Sequence, residues 1–124
     1  MKIIIADDSS MFRNRFNDLL KNLNNVEIVG EAENGLEALK LIEDKKPDLV
    51  ILDIRMPEMN GIDVLRKIRE KGTAVKICML TNYPYKQYKD RCFAEGCDYF
   101  FDKNLDIQQI LDVISTLAKN QKGA

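Results

Sequence analysis

The run Pro47-Asp48-Leu49-Val50-Ile51-Leu52-Asp53-Ile54-Arg55-Met56-Pro57 decides how the rest of the chain is read. Pro47 ends the helix before it, because it lacks an N–H and crowds the preceding turn. Leu49 to Leu52 is then apolar at every position, without the alternation of a half-exposed strand. Such a run, bounded by a proline and an acid, fits a strand buried on both faces of a parallel sheet. It stops on a carboxylate, Asp53.

Towards the N-terminus, Ile3-Ile4-Ile5 is a second run of the same kind, closing at Asp7-Asp8. Phe12, Phe16, Leu19, Leu20 and Leu23 follow it at helical spacing. Val26 to Ala32 reads as a strand, and Leu36, Leu39 and Ile42 as a helix face. Asn34 with Glu37 three residues on resembles a capping box that starts that helix. Towards the C-terminus, Ile62, Leu65 and Ile68 supply a helix stopped at Gly72, and Val75 to Leu80 a strand ending at Thr81. Tyr85 to Glu95 is a polar, weakly periodic helix before Gly96. Tyr99-Phe100-Phe101 is a short aromatic strand leading to Lys103. Ile107, Ile110, Leu111, Ile114, Leu117 and Ala118 form the clearest helical stripe, with Asp106 as its expected cap.

Strands alternating with helices five times predict right-handed crossovers and a parallel sheet covered on both faces. A closed barrel needs eight such units, so the expected architecture is α/β with an open, doubly wound sheet. Its binding crevice then lies beyond the carboxyl ends of the strands, where the strand order switches.

Composition narrows the function. The chain has 124 residues, a size suited to one domain, and a net charge of −1, so no basic footprint points to nucleic acid or an anionic membrane surface. No stretch approaches membrane-spanning length, and the apolar run at the N-terminus is too short for a signal peptide. Cys78, Cys92 and Cys97 lack metal-ligand spacing and fit reduced thiols in a cytoplasmic protein, with a Cys92–Cys97 redox pair as the minor alternative. There is no histidine, which excludes imidazole catalysis and His–metal sites in this chain.

Asp7 and Asp8 close the first strand, Asp53 the third and Thr81 the fourth, and Lys103 follows the fifth. All five therefore project from one edge of the predicted sheet. Taken singly, each has a local explanation: helix-cap acids, a turn-forming acid, a strand-end hydroxyl, a solvated lysine. Together they put three neighbouring carboxylates in one place, which repel unless a cation sits among them. Hard oxygen ligands without His or Cys suggest Mg²⁺, or Mn²⁺ in its place.

These residues carry a family resemblance. Ile-Ile-Ile-Ala-Asp-Asp-Ser at 3–9, Glu-Ala-Glu-Asn-Gly-Leu-Glu-Ala-Leu at 31–39 and Pro-Asp-Leu-Val-Ile-Leu-Asp-Ile-Arg-Met-Pro-Glu-Met-Asn-Gly at 47–61 are the main pieces. Met-Leu-Thr at 79–81 and Gly-Cys-Asp-Tyr-Phe-Phe-Asp-Lys at 96–103 complete them. The chain resembles a two-component response-regulator receiver domain of the stand-alone, chemotaxis-regulator-like kind, from Lys2 to about Leu117. The resemblance implies a flavodoxin-like (βα)5 sheet in the order 2-1-3-4-5. Residues 1–120 are then the receiver and 121–124 a tail, with no output domain.

By the same resemblance Asp53 is the phosphoacceptor. Asp8 and Asp53, with the main-chain carbonyl of Arg55, bind the metal directly, and Asp7 acts through water. Lys103 pairs with phosphoryl oxygens, Thr81 donates its hydroxyl to one of them, and Phe100 is the aromatic that switches with Thr81. The implied partners are a histidine kinase or phosphotransfer protein, or a small phosphodonor, and a downstream protein target contacted through helix four, strand five and helix five. Tyr83, Tyr85 and Tyr88 are expected on helix four. No nucleic acid or membrane partner is implied, and the chain is expected as a monomer or a phosphorylation-dependent homodimer.

The sequence departs from the family pattern at Asn104, where many relatives have proline, at Asn82, where a small residue is usual, and at Phe100, which replaces a frequent tyrosine. Arg55 and Tyr83 fall where the resemblance places the path of attacking water. Three other readings compete with the self-phosphorylating switch. A haloacid-dehalogenase-type phosphatase also uses an aspartyl nucleophile, but expects a second acid where this chain has Arg55. A phosphorylation-independent interaction module would keep the fold without the chemistry. An excised receiver of a larger DNA-binding regulator would share every motif.

Overall fold

The computed structural model describes residues 1–122, the side chain of Lys122 excepted. Five strands alternate with five helices: β1 (Lys2–Ala6), α1 (Ser10–Leu20), β2 (Glu27–Ala32), α2 (Gly35–Lys45), β3 (Leu49–Asp53), α3 (Gly61–Glu70), β4 (Lys76–Thr81), α4 (Lys86–Ala94), β5 (Tyr99–Asp102) and α5 (Ile107–Lys122). The sheet is parallel throughout, in the expected order β2-β1-β3-β4-β5. Of the expected tail, Gln121 and Lys122 belong to α5, and residues 123–124 lie outside the described residues.

The continuous apolar runs divide by parity between two cores, because successive side chains of a strand point to opposite faces. Ile4, Val50, Leu52, Ile77 and Met79 pack with Ala38 and Ile42 of α2, Val64, Leu65 and Ile68 of α3, and Cys92 of α4. Ile3, Ile5, Leu49, Ile51, Cys78 and Leu80 pack on the other face with Phe16 and Leu20 of α1 and Ile110 and Ile114 of α5. Each fully buried side chain of this size contributes about 1.5–3 kcal/mol, which is why β1, β3 and β4 are held in one register.

Helix starts follow local chemistry. Ser9 caps α1, its side chain accepting the Phe12 N–H, so the acids Asp7 and Asp8 are not the cap. Asn34 caps α2 through the Glu37 N–H at 2.8 Å, and Asn60 caps α3 through the Asp63 N–H at 2.9 Å. Asp106 behaves differently from expectation. Its carbonyl accepts the Ile110 N–H, but its carboxylate turns back to the Asp102 N–H at 2.8 Å, tightening the loop that carries Lys103. Helix α4 starts at Lys86, so Tyr83 and Tyr85 stand in the loop before it and only Tyr88 rides on the helix. The three cysteines are buried free thiols, and burial raises Cys92 to about 11 and Cys97 to about 12.

The loop from β3 to α3 is folded tightly onto the end of β3. Gly61 donates its N–H to the Ile54 carbonyl at 2.7 Å, and a Cβ at position 61 would sit 1.9 Å from the Asp53 carbonyl oxygen. Only a residue without a side chain lets α3 start there. Gly61→Ala is expected to cost about 2–4 kcal/mol of stability, since backbone rather than a flexible side chain must give way. Urea unfolding monitored by circular dichroism checks it.

Candidate functional site

Strand register brings the chemistry to one edge. Ala6 pairs with Leu52, so Asp7, just past the end of β1, and Asp53, the last residue of β3, stand side by side at the carboxyl edge of the sheet. The strand order reverses between these two strands, the expected place for a ligand crevice. Thr81 pairs with Asp102 at the ends of β4 and β5, and Lys103 follows immediately.

Asp7, Asp8, Asp53 and Lys103 converge there, and Thr81 ends β4 on the same edge. Asp7, Asp53, Thr81 and Lys103 are among the buried polar residues of the chain, whereas Asp8 is exposed at the mouth. Carboxylate oxygens of Asp7, Asp8 and Asp53 lie within 4.8 Å of one another. The Lys103 ammonium contacts Asp7 Oδ2 and stands 3.2 Å from Asp53 Oδ2, and the ring of Phe12 lies 4.5 Å from it on another side. Phe12 is an unanticipated member of the site. Its sequence signal, an apolar stripe, marked it only as core.

The charge balance is unequal. One ammonium faces three carboxylates, and it is shared between Asp7 Oδ2 and Asp53 Oδ2. Burial pushes Asp53 from 3.8 up to about 6; Lys103 opposes the shift, and the charges of Asp7 and Asp8 add to it. The donor set therefore fits a hard divalent cation: oxygen only, clustered, with three acids against one ammonium and an open side at Asp8.

The neighbouring groups are equally ordered. Thr81 Oγ1 accepts the Tyr83 N–H at 2.9 Å, which leaves the hydroxyl proton free to donate. Arg55 is exposed, its guanidinium 4.0 Å from the centroid of the Tyr83 ring and 3.4 Å from the Tyr88 hydroxyl. Phe100 is half-buried against the core on the α2–α3–α4 face. Asn82 and Asn104 are exposed, and Asn104 donates its N–H to Asp102 Oδ1 at 2.7 Å in the same loop as Lys103. No cis peptide bond occurs among the described residues.

Comparison with known proteins gives a consistent picture. A family model described as the response regulator receiver domain matches residues 3–115. The chain is 34% identical over 119 residues to the chemotaxis protein CheY of Listeria monocytogenes, covering 96% of this chain and 99% of that protein. It is 35% identical over 111 residues to the uncharacterized transcriptional regulatory protein YhcZ of Bacillus subtilis, covering 90% of this chain but only 52% of that protein, so it spans about half the length of that relative. Among solved structures it is similar to the CheX-CheY-BeF3-Mg complex from Borrelia burgdorferi, with a TM-score of 0.86, 26% identity, and coverage of 94% of this chain and 88% of that one.

Two outcomes follow from the charge balance. A carboxyl with its folded pKa above its unfolded value binds a proton more readily when folded, so its contribution to stability falls as pH rises from about 4 to about 6. In metal-free buffer Asp53→Asn is therefore expected to be more stable than the native chain above pH 6, by about 1–3 kcal/mol, with the gap shrinking towards pH 4. Thermal melts across that range check it. Protons also compete with any divalent cation held by this carboxylate, so binding of such a cation, measured by calorimetry, is expected to weaken about tenfold per pH unit below about 6.

Proposed function

The chain belongs to the response-regulator receiver family of two-component signalling, and on that basis we propose that it is a switch phosphorylated on Asp53. The observation that carries this reading is the buried Asp53 carboxylate set beside Lys103 and two further acids at the strand-order switch. A carboxylate is competent to attack phosphorus, forming an acyl phosphate on Asp53 as the bond from phosphorus to the donor breaks. The donor is a phosphohistidine of a kinase or phosphotransfer protein, or a small phosphodonor, since this chain has no histidine.

Phosphoryl transfer asks the protein for positioning and for positive charge near the equatorial oxygens. Asp8 and Asp53, with the Arg55 carbonyl, would hold Mg²⁺ or Mn²⁺, and Asp7 would act through water. The metal, when bound, supplies charge neutralisation for the phosphoryl oxygens. Lys103 would supply a second positive charge, its ammonium already fixed between Asp7 and Asp53. Thr81 donates its free hydroxyl proton to a phosphoryl oxygen, and Phe100 responds by changing its packing. The chain catalyses its own modification and turns over no separate substrate.

The output surface is α4–β5–α5, and the partners are proteins. Helix α4 is held by a single buried residue, Cys92, and has no side-chain cap, which suits an element whose position is to change. Tyr85 and Phe93 are exposed on this side, with 53% and 46% of their surface accessible. Arg55 stacked on Tyr83 covers the approach to the phosphoryl position and sets the lifetime of the phosphoryl group.

Acetyl phosphate with Mg²⁺ is expected to add one hydroxylamine-labile phosphoryl group to the native chain, detected by intact mass, and none to Asp53→Asn. Absence of the adduct on the native chain would leave a phosphorylation-independent interaction module. Arg55→Ala and Tyr83→Ala should each speed loss of the phosphoryl group several-fold by admitting water. A decay rate equal to that of the native chain would dispose of the cover.

A further inference from the structure

We propose that Arg13, locked by Glu31, is the residue that positions the Asp7–Asp8 turn and so sets the affinity of the acidic notch for its divalent cation. This rests on reading the notch as a Mg²⁺ site. Arg13 lies in the first turns of α1 and touches none of the three clustered carboxylates through a recorded hydrogen bond. Instead one arm of its guanidinium donates to the main-chain carbonyl of Asp7, and Nε donates to Glu31 Oε1 at 3.1 Å. Glu31, on the neighbouring strand β2, is held in turn by Asn17 of α1, whose Nδ2 donates to Oε2 at 3.0 Å.

The arrangement fixes residue 7 on every side. Its N–H goes to the Ala32 carbonyl at 2.9 Å, its Oδ1 accepts the Ser9 N–H at 2.8 Å, and its carbonyl takes Arg13. That carbonyl belongs to the peptide joining Asp7 to Asp8. Its orientation therefore determines where the Asp8 carboxylate, exposed at the mouth, meets the other two. The Arg13 side chain is 14% exposed and Glu31 38%, so solvent screens the pair at its Glu31 end and its worth to folding stability is modest.

Two further observations indicate that the contact is specific. Asn17 leaves its Oδ1 buried without a partner while giving its donor to Glu31, an arrangement that costs an unmet acceptor. Turning the amide over would set oxygen against the Glu31 carboxylate. The task also suits arginine alone, because a planar fork is needed to serve Glu31 with one nitrogen and the Asp7 carbonyl with another. The helix itself does not need the side chain, since the Arg13 N–H bonds to the Ser9 carbonyl at 3.1 Å regardless.

The test is calorimetric titration of the full chain with MgCl₂ alone, with metal-free melting temperatures recorded beside it. Arg13→Ala is expected to weaken Mg²⁺ binding about 10- to 100-fold, in the range of groups that orient metal ligands, with little change in the metal-free melt. Glu31→Gln should give an intermediate loss, and it carries the test should Arg13→Ala not fold. Arg66→Ala, which removes an exposed helix-surface pair with Asp63, serves as control and should bind as the native chain does. Full recovery in Arg13→Lys would overturn positioning by the fork, because lysine restores charge alone. Native affinity in both Arg13→Ala and Glu31→Gln would overturn the proposal while leaving the metal site intact. A native chain that binds no Mg²⁺ would instead remove the reading on which it rests.

Discussion

One buried ammonium shared by two carboxylates organises this protein. Lys103 is 8% exposed and contacts Asp7 and Asp53 together, while Asp8 completes a cluster that a single lysine cannot neutralise. An isolated buried charge is costly, so such groups persist only when paired or when they bind a cation. The raised pKa of Asp53 expresses the same imbalance, with burial as its main cause and Lys103 as the main opposing influence. The excess of negative charge is what makes the notch fit a hard divalent cation.

The scaffold makes that imbalance tolerable. β1 and β3 are almost wholly buried and run in register, so the two acids at their ends cannot move apart without disturbing both cores. Around this rigid centre other parts are loosely held. Arg55, Tyr83 and Tyr85 lie in exposed loops, and α4 contributes one buried side chain. Thr81 joins the two regimes, being fully buried at a strand end yet bonded through its hydroxyl to the Tyr83 amide. The fixed strand ends that carry the site therefore adjoin segments with little packing to hold them.

Several features were misread or out of reach in a one-dimensional reading. Tyr83 and Tyr85 look like part of the helix that follows, because tyrosines at close spacing give no boundary; Pro84 between them favours the loop that the structure shows. Asp106 carries a cap signature, but the tight loop beneath Lys103 competes for its carboxylate with the Asp102 amide. Arg13 and Glu31 are separated by a helix and a turn and read as unrelated surface charges. Their pairing exists only because α1 lies against β2 in the folded chain.

The sequence determined the parallel doubly wound sheet, the order of its elements and the edge on which Asp7, Asp8, Asp53, Thr81 and Lys103 gather. It could do so because uninterrupted apolar runs and helical stripes are local patterns, and each strand carries its polar residue at its own end. Tertiary structure alone decided that Asp7 Oδ1 takes the Ser9 amide, that Lys103 bridges two acids, and that Arg55 covers Tyr83. Those outcomes depend on distances of a few ångströms between residues far apart in the chain, which are set by packing and by competition for hydrogen bonds rather than by any property of the neighbouring residues.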